Sequence, residues 1–270
     1  MSATRRPVRI AAQLHPQHGA MRQLLDGAVA AEERGYDIVY NWDHFYPLYG
    51  AADGDHFEAM TVLAAWAART TRIELGTLVT CTAYRNPDLL ADMIRTIDHI
   101  APGRVLLGVG SGWFEKDFDE YGYPFGSAGG RIDALEESLQ RIASRFARLQ
   151  PPPTRKVPVL IGGTGLRRTL RLVAEYADGW HALFPGKADD LREPLAALQG
   201  HCADVGRSID EIEMGLGVEP EDVDGFLAND APELLEMGFT QFTLGFNGPD
   251  WNVAAGEQWL AWRDEVNRSR

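Results

Sequence analysis

Short apolar runs alternate along this chain with longer stretches whose apolar positions recur every three or four residues, and turn-forming residues separate the two. Val8 to Leu14 reads as a first strand, and 21–34 follows with helical spacing until Gly35, a fitting C-cap. Asp37 to Asn41 predicts a second strand, and 58–69 an alanine-rich helix. Arg72 to Val79 predicts a third, with a helix over 87–99 behind it; Pro87 suits the first turn, where a missing N–H costs nothing. A fourth strand at Arg104 to Gly108 precedes a long loop and a helix over 131–149. Val157 to Ile161 and a helix over 166–176 form the fifth unit. Shorter runs at 179–183, 212–216 and 239–244 supply three more strands, with helices near 189–205, 231–237 and 254–267.

Strands and helices that alternate without hairpin signals specify a parallel sheet covered by helices. Eight such units in 270 residues favour an α/β fold closed into a (β/α)8 TIM barrel over an open doubly wound sheet. Residues 1–270 are therefore expected to form a single domain. Pro151-Pro152-Pro153 reads as a stiff connector on the barrel's N-terminal side. In such a barrel the loops after the C-terminal ends of the strands build the active site, so chemistry is sought there first.

Composition narrows the partners. A net charge of −13 repels phosphate, which argues against nucleic acid or an anionic membrane surface as partner. The start, Met1-Ser2-Ala3-Thr4-Arg5-Arg6-Pro7, is basic but leads into a strand with no apolar segment of the signal-peptide kind. Cys81 and Cys202, far apart in sequence, fit a reducing compartment rather than a disulfide framework, and a cytoplasmic location is expected.

Four segments fall at strand ends. Asn41-Trp42-Asp43-His44-Phe45 places a carboxylate and an imidazole after the second strand, where His44 can give or take a proton near neutral pH or serve as a hydrogen-bonded structural group. Gly76 to Thr82 ends the third strand in small and hydroxyl residues; a flat ring could press on that backbone, or the strand could simply be packed. Gly108-Val109-Gly110-Ser111-Gly112-Trp113 lacks the complete G-x-G-x-x-G spacing, and its glycines allow either close approach to a ligand or a tight turn. Ile161-Gly162-Gly163-Thr164-Gly165 opens a helix, an arrangement suited to phosphate, with Arg167 and Arg168 adding positive charge. Asp53, Asp55 and His56 cluster in sequence but lack matched ligands on other strands, so no metal site is expected.

In order and in phase with the barrel, these segments resemble the luciferase-like monooxygenase family, specifically its actinobacterial deazaflavin (coenzyme F420) branch. Asp43-His44-Phe45, Phe57-Glu58-Ala59, 70–80, Tyr84-Arg85-Asn86-Pro87 and Gly108 to Trp113 carry the likeness. Tyr121-Gly122, Pro124-Phe125, Leu160 to Gly165 and Ala177 to Trp180 continue it. The resemblance implies a cofactor ring over the third strand at a bulge with a non-proline cis peptide, which would fall at Leu78–Val79. It implies Thr80, Gly110, Ser111, Gly112 and Trp113 lining the ring or its tail, and Gly162, Gly163, Thr164 and Gly165 holding the phosphate. Asp43 would contact the polar edge of the ring, and His44 would face the substrate. Some relatives place a glutamate where Trp113 stands; here the nearest acid in sequence is Glu115.

The expected activity is hydride transfer between coenzyme F420 and a small organic substrate, with His44 handling the coupled proton. The alternatives are an FMN-dependent monooxygenase that uses O2 and a flavin- or deazaflavin-binding protein without turnover. The resemblance further implies a homodimer formed through outer helices. Trp113, Phe114, Trp180 and Phe184 suggest an aromatic mouth, though such residues are as often core.

Overall fold

Residues 6–219 and 222–269 are described in a computed structural model of the chain. Its strands are β1 (Arg9–Leu14), β2 (Ile38–Asn41), β3 (Glu74–Thr77), β4 (Thr80–Cys81), β5 (Val105–Gly110), β6 (Val159–Gly162), β7 (Gly179–Leu183), β8 (Glu213–Gly217) and β9 (Phe239–Phe246). They run parallel in the order β3-β2-β1-β9-β8-β7-β6-β5-β4, and a pairing of β3 with β5 closes the circle. β3 and β4 are two pieces of one barrel strand, so the structure is the expected (β/α)8 barrel. Around it lie α1 (Met21–Arg34), α2 (Ala59–Arg69), α3 (Pro87–Ile100), α4 (Glu115–Tyr121), α5 (Ala128–Phe146), α6 (Thr169–Tyr176) and α7 (Arg192–Asp204), then α8 (Val223–Gly225), α9 (Ala231–Met237) and α10 (Glu257–Ser269).

The period-two alternation of a strand sorts its residues between two cores. In β1, Ile10, Ala12 and Leu14 join the layer between barrel and helices, packed with Leu24, Ala28 and Ala31. Ala11 instead packs inside the barrel with Ile38, Tyr40 and Leu106. Arg9 closes the barrel floor, donating from Nε to Glu213 at 2.8 Å and pairing with Glu74, which also takes Arg155 at 2.9 Å. Gln13, on the same face of β1, reaches the mouth. Among the described residues, no helix is long and apolar enough to cross a membrane.

Two departures from the sequence reading matter for the site. The loop expected after the fourth strand contains α4, capped at its C-terminus by Gly122 at φ 70°. α5 starts three residues earlier than the spacing suggested, because the Ser127 hydroxyl accepts the Gly130 N–H and caps it.

Candidate active site

The third barrel strand breaks at its C-terminal end, where the Leu78–Val79 peptide bond is cis, as the resemblance implied. The break is secured from both sides. Leu78 N–H donates to the Asn41 carbonyl and Gln13 Nε2 donates to the Leu78 carbonyl, each at 2.7 Å. The hydroxyls of Thr77 and Thr80 meet across it at 2.5 Å. Glycines beside the break are demanded by space. A Cβ at Gly108 would lie 2.0 Å from the Thr77 carbonyl oxygen, and one at Gly110 would lie 2.8 Å from Val79 Cγ2. At Gly162 the corresponding distance to Val79 Cγ1 is 3.2 Å. Two neighbouring strands, β5 and β6, thus present bare backbone around Val79.

His44, at the end of β2, shares its Nδ1 hydrogen bond with Asp117 Oδ2 at 2.7 Å. Asp117 lies on α4, is fully buried, and accepts the N–H groups of Phe45 and Tyr46 at 3.2 Å and the Tyr84 hydroxyl at 3.2 Å. Three donors besides the imidazole therefore hold this carboxylate in place. With Nδ1 donating to Asp117, the other ring nitrogen, Nε2, is left as an acceptor. The rings of Trp42, Trp113 and Phe114 meet the imidazole edge-on at 5.9, 5.7 and 5.6 Å and fix its plane.

Asp43 points the other way. It is 2% exposed, and its oxygens accept the Cys81 N–H at 3.0 Å and a two-pronged contact from Arg85, one arm at 2.8 Å. Arg85 continues to Glu58, whose carboxylate caps α2 by accepting the Met60 and Thr61 N–H groups. Burial pushes the Asp43 carboxyl up, and the charge and hydrogen bonds of Arg85 pull it back. Asp43 thus acts on the opening through Arg85 and the Cys81 amide, pinning β4 to the end of β2.

The two glycine-rich segments differ. Gly112 takes φ 78° and passes so close to Cys81 and Phe118 that a Cβ would sit 2.5 Å from the sulfur and 2.8 Å from the ring; Arg131 Nε donates to its carbonyl at 3.1 Å. Ser111 is half-buried beside it, and Trp113 stands 64% exposed at the rim. Gly163, Thr164 and Gly165 are exposed ahead of α6, and the Gly163 N–H is already spent on the His181 carbonyl at 3.0 Å. Arg168 is paired with Asp133 and reaches the Gly129 carbonyl at 3.0 Å, while the exposed Arg167 has no ion-pair partner among the described residues. Trp180 is not part of the mouth: it is fully buried and donates Nε1 to the Gly163 carbonyl at 2.8 Å. Glu115 opens α4 on its exposed side, while the acid that reaches His44 is Asp117.

Across the mouth lies a cavity of about 710 Å3, bounded by Gln13, Tyr49, Phe184, Glu219, Thr243 and Gly245, among others. Tyr49 ties it to the His44 side, because its ring lies 5.9 Å from Trp42 and 6.1 Å from His15. His15 stacks on Trp42 at 4.0 Å. Burial lowers His15 to about 4 and His181 to about 3, so both imidazoles are neutral at pH 7.

Sequence reading missed Asp117, Tyr84 and His15, and gave Arg85 no role. Tyr84 and Arg85 lay in a matched segment, which was a usable signal. Asp117 carried none, because 73 residues separate it from His44 and its stretch read as loop. Phe184 does line the cavity, as suspected.

The barrel mouth thus joins a buried carboxylate–imidazole pair and a glycine-walled strand break. The luciferase-like monooxygenase family model matches residues 4–220, and the chain belongs to that family. It is 32% identical over 229 residues to an F420-dependent glucose-6-phosphate dehydrogenase of Nakamurella multipartita and 30% identical over 227 residues to that of Microbacterium testaceum. Each alignment covers 77% of this chain and 66% of the relative, so the chain spans just under two thirds of their length. Among solved structures, an F420-dependent secondary alcohol dehydrogenase in complex with an F420-acetone adduct superposes with a TM-score of 0.84 at 17% identity, covering 96% of this chain and 99% of that one. The monooxygenase RslO1 from Streptomyces bottropensis superposes with a TM-score of 0.77 at 15% identity, covering 97% and 100%. At these identities the likeness is one of fold.

Proposed function

We propose that this chain is an oxidoreductase that transfers a hydride between coenzyme F420 and a small organic substrate, with His44 carrying the coupled proton. The observation that carries the reading is the His44–Asp117 pair beside the glycine-walled break at Leu78–Val79. The residues fit the cofactor. Gly108, Gly110 and Gly162 make room for Thr77 and Val79 at the break over which a flat ring would lie, with Thr80, Ser111, Gly112 and Trp113 around it. In the exposed loop after β6, Thr164 and Gly165, with Arg167 beyond them, offer N–H groups and a positive charge to a phosphate. The relatives named as F420-dependent dehydrogenases support the same cofactor.

When bound, a deazaflavin supplies a ring carbon that accepts or gives a hydride. In alcohol oxidation, His44 Nε2 takes the hydroxyl proton as the C–H bond is broken, and Asp117 stabilises the imidazolium that forms. In the reverse direction the imidazolium returns the proton to the carbonyl oxygen. Asp43 and Arg85 are positioning residues that hold the wall behind the ring. His44→Ala should lower F420-dependent turnover at least tenfold while F420 affinity persists, and Asp117→Asn should lower it by a smaller factor and shift its pH profile. Unchanged turnover in His44→Ala would remove His44 from the mechanism.

A further inference from the structure

The cavity of about 710 Å3 on the β7–β9 side of the mouth is bounded by three carboxylates, Glu219, Asp222 and Asp230, and among the described residues no lysine or arginine lines it. Asp222 spends one oxygen on the Gly225 N–H at 3.0 Å. Glu219 is aimed at the wall: a carbon added at Gly245 would lie 2.7 Å from its Oε1.

A second group converges on the same spot from inside the barrel. His15 is 2% exposed and shares Nδ1 with the Asn247 side-chain oxygen at 2.9 Å. Its Nε2 has no hydrogen-bond partner among the described residues and lies 3.1 Å from that same point at Gly245. With Nδ1 donating to Asn247, Nε2 can only accept. Burial keeps this imidazole neutral down to about 4, so it adds no positive charge to the cavity. Directly behind the bare Gly245 of the wall thus lies a buried acceptor nitrogen, with a Glu219 carboxylate oxygen beside the same glycine.

We propose that this cavity selects organic substrates that bring hydrogen-bond donors and no negative charge, amino alcohols above all, with Glu219, Asp230 and His15 Nε2 as the specificity-determining acceptors. The inference rests on the oxidoreductase reading of the same mouth, which makes this cavity its substrate side. An ammonium group is attracted by the carboxylates and satisfies their lone pairs, and a neutral hydroxyl can donate to His15. A phosphate or carboxylate finds no counter-charge there and meets three carboxylates instead.

The test uses three ligands on one ring: aminocyclohexanol, cyclohexanol and hydroxycyclohexanecarboxylate. Binding to the F420-loaded protein is followed calorimetrically, and turnover is measured separately. The expected order of affinity is ammonium, neutral, carboxylate, with at least a tenfold gap between first and last that narrows as salt rises. In the double variant Glu219→Gln, Asp230→Asn the gap should close to about threefold or less, and Glu219→Lys should favour the carboxylate. Gly245→Ala, which crowds His15 Nε2, should weaken all three. Equal or tighter binding of the carboxylate by the unmodified protein overturns the proposal, as does undetectable binding of the ammonium compound. Ranked binding without any turnover would instead refute the oxidoreductase reading and leave the selectivity of the cavity standing.

Discussion

On the β2–β6 side of the barrel mouth, charged side chains are tied to partners: Asp43 to Arg85 and the Cys81 amide, Asp117 to His44, Tyr84 and two backbone N–H groups. On the β7–β9 side, Glu219, Asp222 and Asp230 border a cavity with no basic residue in its lining among those described. Apart from Arg167 on the loop after β6, the first half has satisfied its charges internally, and what else it exposes to a ligand is backbone, aromatic edge and one imidazole nitrogen. Such an arrangement fixes geometry before any ligand arrives, which suits positioning and proton transfer. The second half leaves its charge for the ligand to answer, which suits selection. Gln13 joins the two, since it lines the cavity and donates to the Leu78 carbonyl at the strand break.

The sharpest way to break this contrast is to unbalance the satisfied side. Arg85→Met would leave the fully buried Asp43 carboxylate without its cation, at a cost of about 3–5 kcal/mol, the range for halving a buried pair. At roughly 2–4 °C per kcal/mol, that should lower Tm by about 6–20 °C in a thermal melt. A loss below about 1 kcal/mol would mean that the pair does not hold β4, and the rigid half of the comparison would fail.

A smaller effect comes from the buried imidazoles. His15 and His56 are lowered to about 4 and His181 to about 3, in each case chiefly by burial. Each binds its proton near 6.5 when unfolded but not when folded, so below that pH the unfolded chain takes up protons the folded chain refuses. The stability these groups contribute is present above pH 6.5 and falls as pH drops from 6.5 towards 4, by up to about 1.4 kcal/mol per imidazole per pH unit. Denaturant midpoints between pH 7 and pH 5 would show it, and His15→Gln should flatten the slope. An unchanged slope in that variant would mean that His15 is protonated in the folded protein and that its Nε2 is no acceptor.

The fold was legible because the barrel repeats one local rule eight times, and alternating apolar runs marked each strand even where they were as short as Gly179–Leu183. Asp43-His44 was legible because strand ends are where barrels place chemistry. The opposite orientations of those two side chains were not, since they depend on Arg85 and Asp117, 42 and 73 residues away. The cavity was less legible still. Glu219, Asp222 and Asp230 lie among ordinary acidic residues of a chain with a net charge of −13, and only the approach of β8, β9 and the segment before α9 makes them neighbours of one space. His15 follows a strand whose inward positions are small or polar, and nothing in the run Leu14-His15-Pro16 separates a stacked, buried imidazole from a loop residue.

The chemistry of the mouth turns on which ring the glycine-walled break accepts. Titration of the apo-protein with coenzyme F420 and, separately, with FMN, followed calorimetrically, measures that directly. The account predicts binding of F420 in the micromolar range or tighter and markedly weaker binding of FMN. Preference for FMN would contradict the deazaflavin assignment and turn the site towards oxygen chemistry, and binding of neither would contradict the reading of the break as a cofactor site.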